Sequence, residues 1–240
     1  KMDLVMEGSI AVKAAINGKK REIKELWVRD HNRNQDQNYI LKLATQRGIK
    51  IKYKPLESIN QVANGKTHGG LIAYCCPREY DDLDQLLENK EPLFLAYLEG
   101  IEDPYNYGYA LRTLYAAGCQ GLIVPKREWG TEETTIAKSS AGTLELLPIC
   151  LYDDETIAKL KKRGVKIVVA GRKDAVNLYQ ADFKSDCLIA IGGPLRGLAK
   201  PLTQNCDLTI DIPYANDFRN ALNTGSALAV IAYEVYRQRH

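Results

Sequence analysis

PLFLAYLEGIEDPYNYGYALRT, residues 92–113, contains the clearest structural pattern in the chain. Its first half is a continuous apolar run, which is typical of a strand in a parallel sheet covered on both faces. An acidic turn follows, and Pro104 is a residue that commonly opens a helix. The stretch therefore predicts a β-strand, a polar turn and an α-helix in one unit.

The same pattern recurs further along the chain. Apolar runs lie at 120–125, 165–171 and 187–193, and each is followed by a Gly-rich or polar turn. Helical spacing lies between the strands and in a final amphipathic segment, at 107–117, 131–140, 154–163 and 220–238. We therefore predict an α/β domain with a parallel sheet over residues 92–240, and ligands bind beyond the carboxyl ends of the strands in such sheets.

The first part of the chain has a different sequence pattern, in which the predicted helices and strands are shorter. Helical and alternating strand patterns follow one another from GSIAVKAAI at 8–16 to LIAYCC at 71–76. Proline and an acidic run then mark a linker with a short helix. We predict a small α/β domain at 1–78, a linker at 79–91 and the larger domain at 92–240.

Composition limits the class of protein. The chain has 240 residues, of which 45% are hydrophobic and 26% are charged, values that are ordinary for a globular protein. It has no apolar run of about 18 residues, no apparent secretory signal and no CxxC among its six cysteines. We expect a cytoplasmic protein with reduced thiols, no membrane segment and no metal site.

Charge is distributed unevenly. Residues 1–90 hold 16 Lys and Arg against 12 Asp and Glu, whereas residues 91–240 hold 17 against 18. A basic first domain is consistent with contact to nucleic-acid phosphates, although ordinary surface variation explains the difference equally well.

Three segments follow predicted strands and carry candidate site residues. In DPYNYGYALRT, Asn106 and Arg112 are six residues apart, so an ideal helix separates them by about 120° in azimuth. Asn106 is also explained as a helix cap, and Arg112 as a surface charge. GGPLRGL at 192–198 has glycines that allow close backbone approach to a ligand. In the segment 212–234, a polar loop leads into the last helix, whose first turn has free N–H groups.

Together and in this order, the segments resemble the SpoU (TrmH-type) branch of the SPOUT RNA methyltransferases. Asn106, Gly108 and Arg112 match the family motif NxGxxxR. Further matches are AKSSAGTLELLPI at 137–149, GGPLRGL at 192–198, the Ile-Pro and Leu-Asn pairs within 212–234, and the segments 8–16 and 67–74 of the small domain. The resemblance covers nearly the whole chain.

The resemblance implies a C-terminal α/β trefoil-knot (SPOUT) domain behind a small RNA-binding domain, acting as a homodimer. It implies that S-adenosyl-L-methionine (SAM) donates a methyl group to a ribose 2′-hydroxyl of rRNA or tRNA. Cofactor contacts carry over to Gly192, Gly193, Ile212, Pro213 and Leu222. Catalytic roles carry over to Asn106, Arg112 and Asn223. A guanidinium rarely releases its proton, so a phosphate clamp suits Arg112 better than a base.

Two positions depart from the family pattern. Pro194 stands where the glycine motif normally has Glu, and Ala221 replaces the Ser of Ser-Leu-Asn. Arg196 or Asp217 is a candidate for compensation. The alternative function is therefore a catalytically weak or silent RNA-binding protein on the same fold. A nucleotide-binding oxidoreductase is disfavoured, because its Gly-rich turn after the first strand is missing.

Overall fold

The computed structural model describes residues 3–193 and 197–240. The described strands are β1 (Leu4–Glu7), β2 (Ile23–Arg29), β3 (Lys50–Lys54), β4 (Leu71–Cys75), β5 (Phe94–Glu99), β6 (Gly121–Val124), β7 (Ile149–Leu151), β8 (Lys166–Ala170), β9 (Val176–Asn177), β10 (Cys187–Gly192) and β11 (Leu208–Asp211). The described helices are α1 (Ser9–Gly18), α2 (Gln35–Gln46), α3 (Leu56–Val62), α4 (Leu83–Leu87), α5 (Pro104–Ala116), α6 (Glu132–Ser139), α7 (Thr156–Arg163), α8 (Lys200–Gln204) and α9 (Thr224–Arg239). The chain divides into two compact units.

The first unit comprises the residues up to Glu79 together with Glu128–Leu146. Its sheet has the order β1-β4-β2-β3, in which only the β2–β3 pair is parallel. The helices α1 and α2 pack on each other, α3 contacts β2, and α6 contacts β1.

Buried ion pairs hold the segment Glu128–Leu146 within this first unit. The Arg21 side chain is fully buried and lies 2.8 Å from a carboxylate oxygen of both Glu133 and Glu145. Lys138 Nζ lies 2.7 Å from a carboxylate oxygen of Glu7, whose side chain is also buried. The segment 137–149, which matches the family pattern, therefore begins in the first unit.

The second unit comprises Tyr80–Arg127 and Leu147–His240. Its sheet has the order β7-β6-β5-β10-β8-β11-β9, and every neighbouring pair is parallel. The predicted α/β class with a parallel sheet is therefore confirmed. The predicted domain boundaries at 78 and 92, and the trefoil knot, stay predictions.

The core of the second unit lies on the inner strands. Leu93, Leu95 and Tyr97 alternate along β5 and its approach, and they pack with Leu160 of α7 and Leu202 of α8. Elsewhere in the same unit α5 packs against α9, and α9 contacts β10. This packing places α5 beside α9.

Within the described residues, every helix is too short or too polar to cross a membrane. Over the same residues, no group of three or more His, Cys, Asp or Glu side chains is arranged to hold a metal ion.

Candidate active site

The carboxyl ends of two central strands define the site. Residue Gly192 at the end of β10 is paired with Glu99 at the end of β5. A Cβ atom on Gly193 would overlap the backbone carbonyl of Gly100. The glycine at 193 is therefore required by the close approach of two backbones, which is a structural reason independent of any ligand.

The turn after β5 is fixed by a helix cap. One carboxylate oxygen of Asp103 accepts hydrogen bonds from the backbone N–H groups of Tyr105, at 2.7 Å, and Asn106, at 3.1 Å. Pro104 occupies the first turn of α5, where its missing N–H costs nothing. Asn106 therefore lies inside the first turn of α5, with an exposed side chain.

Asn223 occupies the equivalent place before α9. Its side-chain oxygen accepts a hydrogen bond of 2.8 Å from the backbone N–H of Ser226. This is the ordinary geometry of an Asn N-cap, so the residue has a structural role whatever else it does.

These two helix starts line one cleft of about 720 Å³ within the second unit. Asn106 and Asn223, which come from widely separated segments of sequence, both line it. The other lining residues are Gly100, Ile101, Glu102, Asp103, Tyr109, Ala110, Thr113, Thr224, Gly225, Ser226 and Ala229. The structure thus brings together two of the three predicted catalytic residues.

The hydroxyl groups that line the cleft were not predicted from the sequence. Tyr109 and Thr113 line it from α5, and Thr224 and Ser226 line it from α9. Tyr109 and Thr113 are three and seven residues after Asn106, which is the spacing of one helix face. That periodicity was available in the sequence, whereas the approach of α9 depends on tertiary packing.

Arg112 does not line this cleft. It lies on α5 with an exposed side chain, and in the part of the chain that the structure describes its guanidinium makes no hydrogen bond or ion pair. Because Asn106 is inside the helix, the azimuthal separation of about 120° between the two residues is retained. The guanidinium of Arg112 is thus available to bind a group from another molecule.

Of the predicted cofactor residues, Pro213 and Leu222 line a second concavity of about 410 Å³. Gly192 is the last residue of β10, and Ile212 directly follows β11, so both lie at the carboxyl edge of the same parallel sheet. Asp217 also lines the second concavity. Pro194 and Arg196 lie outside the described residues.

Glu99 organises the chain around the end of β5. It accepts a hydrogen bond of 2.6 Å from the hydroxyl of Tyr97 and one of 3.3 Å from the backbone N–H of Ala199. Burial of the phenol, followed by its hydrogen bond to Glu99, raises the pKa of Tyr97, so the phenol keeps its proton. Glu99 thus links the end of β5 to Ala199, the residue that precedes α8.

Comparison with known proteins places this geometry in a family. The model of the SpoU rRNA methylase family matches residues 92–233, and the model of the RNA 2′-O ribose methyltransferase substrate-binding domain matches residues 5–81. The chain belongs to the SpoU (TrmH-type) family of RNA methyltransferases.

Individual relatives match this chain along nearly their full length. YacO of Bacillus subtilis, assigned to the TrmH family of tRNA/rRNA methyltransferases, is 31% identical over 92% of this chain and 90% of its own length. A protein of Staphylococcus haemolyticus assigned to the same family is 33% identical over 99% of this chain and 97% of its own length.

Solved structures show the same fold. The SpoU methyltransferase AviRb from Streptomyces viridochromogenes, in complex with the cofactor AdoMet, superposes with a TM-score of 0.80 at 22% identity, covering 99% of this chain and 90% of that one. An AdoMet-bound rRNA methyltransferase from Sinorhizobium meliloti superposes with a TM-score of 0.78 at 20% identity, covering 98% and 87%.

Proposed function

We propose that this protein is a SAM-dependent methyltransferase that methylates a ribose 2′-hydroxyl of rRNA or tRNA in the cytoplasm. The observation that carries the proposal is that Asn106 and Asn223 line the same cleft. Both residues belong to motifs that the family resemblance marks as catalytic, and the membership of the chain in an RNA methyltransferase family supports the reaction class.

The residues at the carboxyl edge of the sheet fit SAM as cofactor. Gly192, Gly193 and Ile212 lie where ligands bind in parallel sheets, and they offer backbone groups rather than charged side chains. The exposed side chain of Leu222 and the ring of Pro213 add apolar surface in the second concavity. When bound, SAM supplies an activated methyl group.

The protein's own task is alignment, since holding a nucleophile in line with a reactive centre is worth several kcal/mol. Asn106 and the nearby hydroxyls of Thr113 and Ser226 are suited to orient a ribose. Arg112 carries a fixed positive charge suited to an RNA phosphate. Among the described residues, the lining of the cleft does not include any of the three histidines.

The position of Arg112 supports a homodimer. Its guanidinium lies off the cleft of its own chain, on the exposed side of α5. The family resemblance implies that each active site uses groups from both subunits, and a clamp contributed by the second subunit is consistent with that position. The first unit, which matches a substrate-binding domain and carries the basic excess, would engage the RNA.

The function is tested by measuring SAM binding by calorimetry and the transfer of labelled methyl groups to tRNA and rRNA fragments. We expect the wild type to bind SAM and label RNA, and Arg112→Ala to lose transfer while retaining SAM binding. Lys162→Ala removes an exposed charge from α7 and serves as the matched control, with wild-type activity. A wild type that binds no SAM and labels no RNA would contradict the proposal.

A silent RNA-binding protein on the same fold is the second candidate. It is motivated by Pro194, which cannot ion-pair, and Ala221, which cannot hydrogen-bond through its side chain. Salt-dependent RNA binding without turnover would favour it, and gain of transfer in Pro194→Glu with Ala221→Ser would locate the loss at these positions. Turnover that disappears in Arg112→Ala would exclude it.

A further inference from the structure

The turn after β5 brings an unpaired carboxylate to the cleft that Asn106 and Asn223 line. Among the described residues that line this cleft, two carry a carboxyl group, Glu102 and Asp103, and none is Lys, Arg or His. Over residues 3–193 and 197–240, the side chain of Glu102 forms no hydrogen bond and no ion pair. Its carboxylate is therefore available to a group that enters the cleft.

The backbone around Glu102 is held on both sides. The guanidinium of Arg127 donates hydrogen bonds to the carbonyl of Ile101, at 3.4 Å, and to the carbonyl of Glu102 itself, at 3.1 Å. The next residue, Asp103, caps α5 through its side chain. Because the backbone is fixed, only the side chain of Glu102 has to be ordered when a ligand binds, which lowers the entropic cost.

The other polar groups considered for proton transfer are less suited to accept a proton. One carboxylate oxygen of Asp103 already accepts two backbone N–H groups and holds the start of α5. Tyr109 lines the cleft with a phenol, which normally carries its proton. Arg112 lies off the cleft, and a guanidinium rarely releases its proton. Glu102 is therefore the candidate that combines a place in the cleft with a free proton-accepting group.

The glycine motif gives a second reason to assign a role to Glu102. The family pattern has Glu in this motif, whereas this chain has Pro194 there, so one carboxylate of the pattern is absent. Gly193 directly precedes that position, and a Cβ atom on Gly193 would overlap the carbonyl of Gly100. Gly193 therefore lies against the turn that carries Glu102, and this turn supplies a carboxylate that the motif lacks.

We propose that Glu102 is the catalytic base that accepts the proton of the ribose 2′-hydroxyl. The inference rests on the proposed function for its reaction. As the 2′-oxygen forms a bond to the methyl carbon of SAM, the carbon–sulfur bond breaks with its electron pair on sulfur, and the hydroxyl proton passes to Glu102. Solvent then takes this proton and restores the carboxylate. Each turnover yields a 2′-O-methylated ribose, S-adenosylhomocysteine and one proton.

The test compares Glu102→Gln, which keeps the size of the side chain but removes the carboxylate, with Glu102→Asp, which keeps a carboxylate on a shorter side chain. Glu88→Gln is the control, because Glu88 is exposed in the same unit and does not line the cleft. Single-turnover methyl transfer is measured with labelled SAM and tRNA or rRNA fragments, both saturating. Loss of a general base lowers a rate by roughly a hundredfold or more, so we expect that loss in Glu102→Gln. The loss should be smaller in Glu102→Asp, and the control should react as the wild type does.

Two further readouts separate a base from a residue that only binds or supports the site. The dissociation constants for SAM and RNA, measured by calorimetry, should be unchanged in Glu102→Gln. The wild-type rate should fall in acid as the base becomes protonated, and Glu102→Gln should lose this acid limb. Asp103 and Tyr109 are present in both proteins, so the difference between the two pH profiles reports on Glu102.

The outcomes also keep the inference distinguishable from the proposed function. Weakened SAM binding with a retained acid limb would assign Glu102 to attraction of the positively charged sulfonium and overturn the inference. A wild-type rate in Glu102→Gln would overturn it too, while methyl transfer by the wild type would leave the proposed function intact. A wild type that transfers no methyl group would overturn both.

Discussion

Asn223 shows at the scale of one residue how structural and functional roles overlap. Its side chain caps α9 through the N–H of Ser226 and at the same time lines the cleft with Asn106. A cap alone would explain an Asn at this position, since Asn is among the preferred N-cap residues together with Ser and Asp. The cap therefore has to be separated from the proposed catalytic role before Asn223 can be assigned to the reaction.

Substitutions at Asn223 separate these roles. Asn223→Ser keeps a cap, so we expect near wild-type stability but a large loss of methyl transfer, because the amide is gone. Asn223→Ala should lose transfer and also about 1 kcal/mol of stability. Urea unfolding and labelled methyl transfer measure the two effects. Full activity in Asn223→Ser would show that the residue acts only as a cap.

At the scale of elements, an ion pair between Glu7 and Lys138 joins the segment Glu128–Leu146 to the N-terminal part of the first unit. Burial raises the pKa of the Glu7 carboxyl, but Lys138 and the backbone N–H groups of Asn64 and Gly65 outweigh burial and hold the pKa below its ordinary value of 4.5. The carboxylate thus binds its proton less readily in the folded chain than in the unfolded chain. Its stabilising contribution is fully present above that ordinary value and is lost as the pH falls through the lower folded value.

We therefore expect the free energy of unfolding to decline as the pH falls below about 4.5, with Glu7 contributing to the decline. Glu7→Gln should be less stable at neutral pH and should show a shallower acid limb in urea unfolding. Asp84→Asn removes the carboxylate from an exposed pair with Lys159 and is the control, with little change in either. An acid limb in Glu7→Gln as steep as that of the wild type would exclude this role for Glu7.

The sequence predicted elements well where periodicity was long and poorly where elements were short. The apolar run around Leu95 and the helix containing Arg112 were predicted because each extends over several turns or alternations. The short strands β1, β7, β9 and β11 were missed, because two to four residues carry too little periodicity to be recognised. Neither the buried partners of Arg21 nor the approach of α9 to α5 has a local sequence signal, since both depend on contacts between distant segments.

At the scale of the whole molecule, the proposed function involves two copies of the chain. If Arg112 acts in the cleft of the partner, Arg112→Ala and Asn106→Ala damage different halves of a shared site. Each variant alone should be inactive, while mixed dimers formed by joint refolding should regain transfer, because one of their two sites is intact. Activity is measured with labelled SAM. Mixed dimers that stay inactive would place Arg112 and Asn106 in the same subunit's site.

We expect this chain to methylate the ribose of RNA. The most direct test incubates the purified protein with SAM and RNA lacking its modifications, followed by nuclease digestion and mass-spectrometric mapping. We predict a methyl group on the 2′-oxygen of a defined nucleotide, present with the wild type and missing with Arg112→Ala. RNA that is bound but unmodified, or a methyl group found on a base, would contradict it.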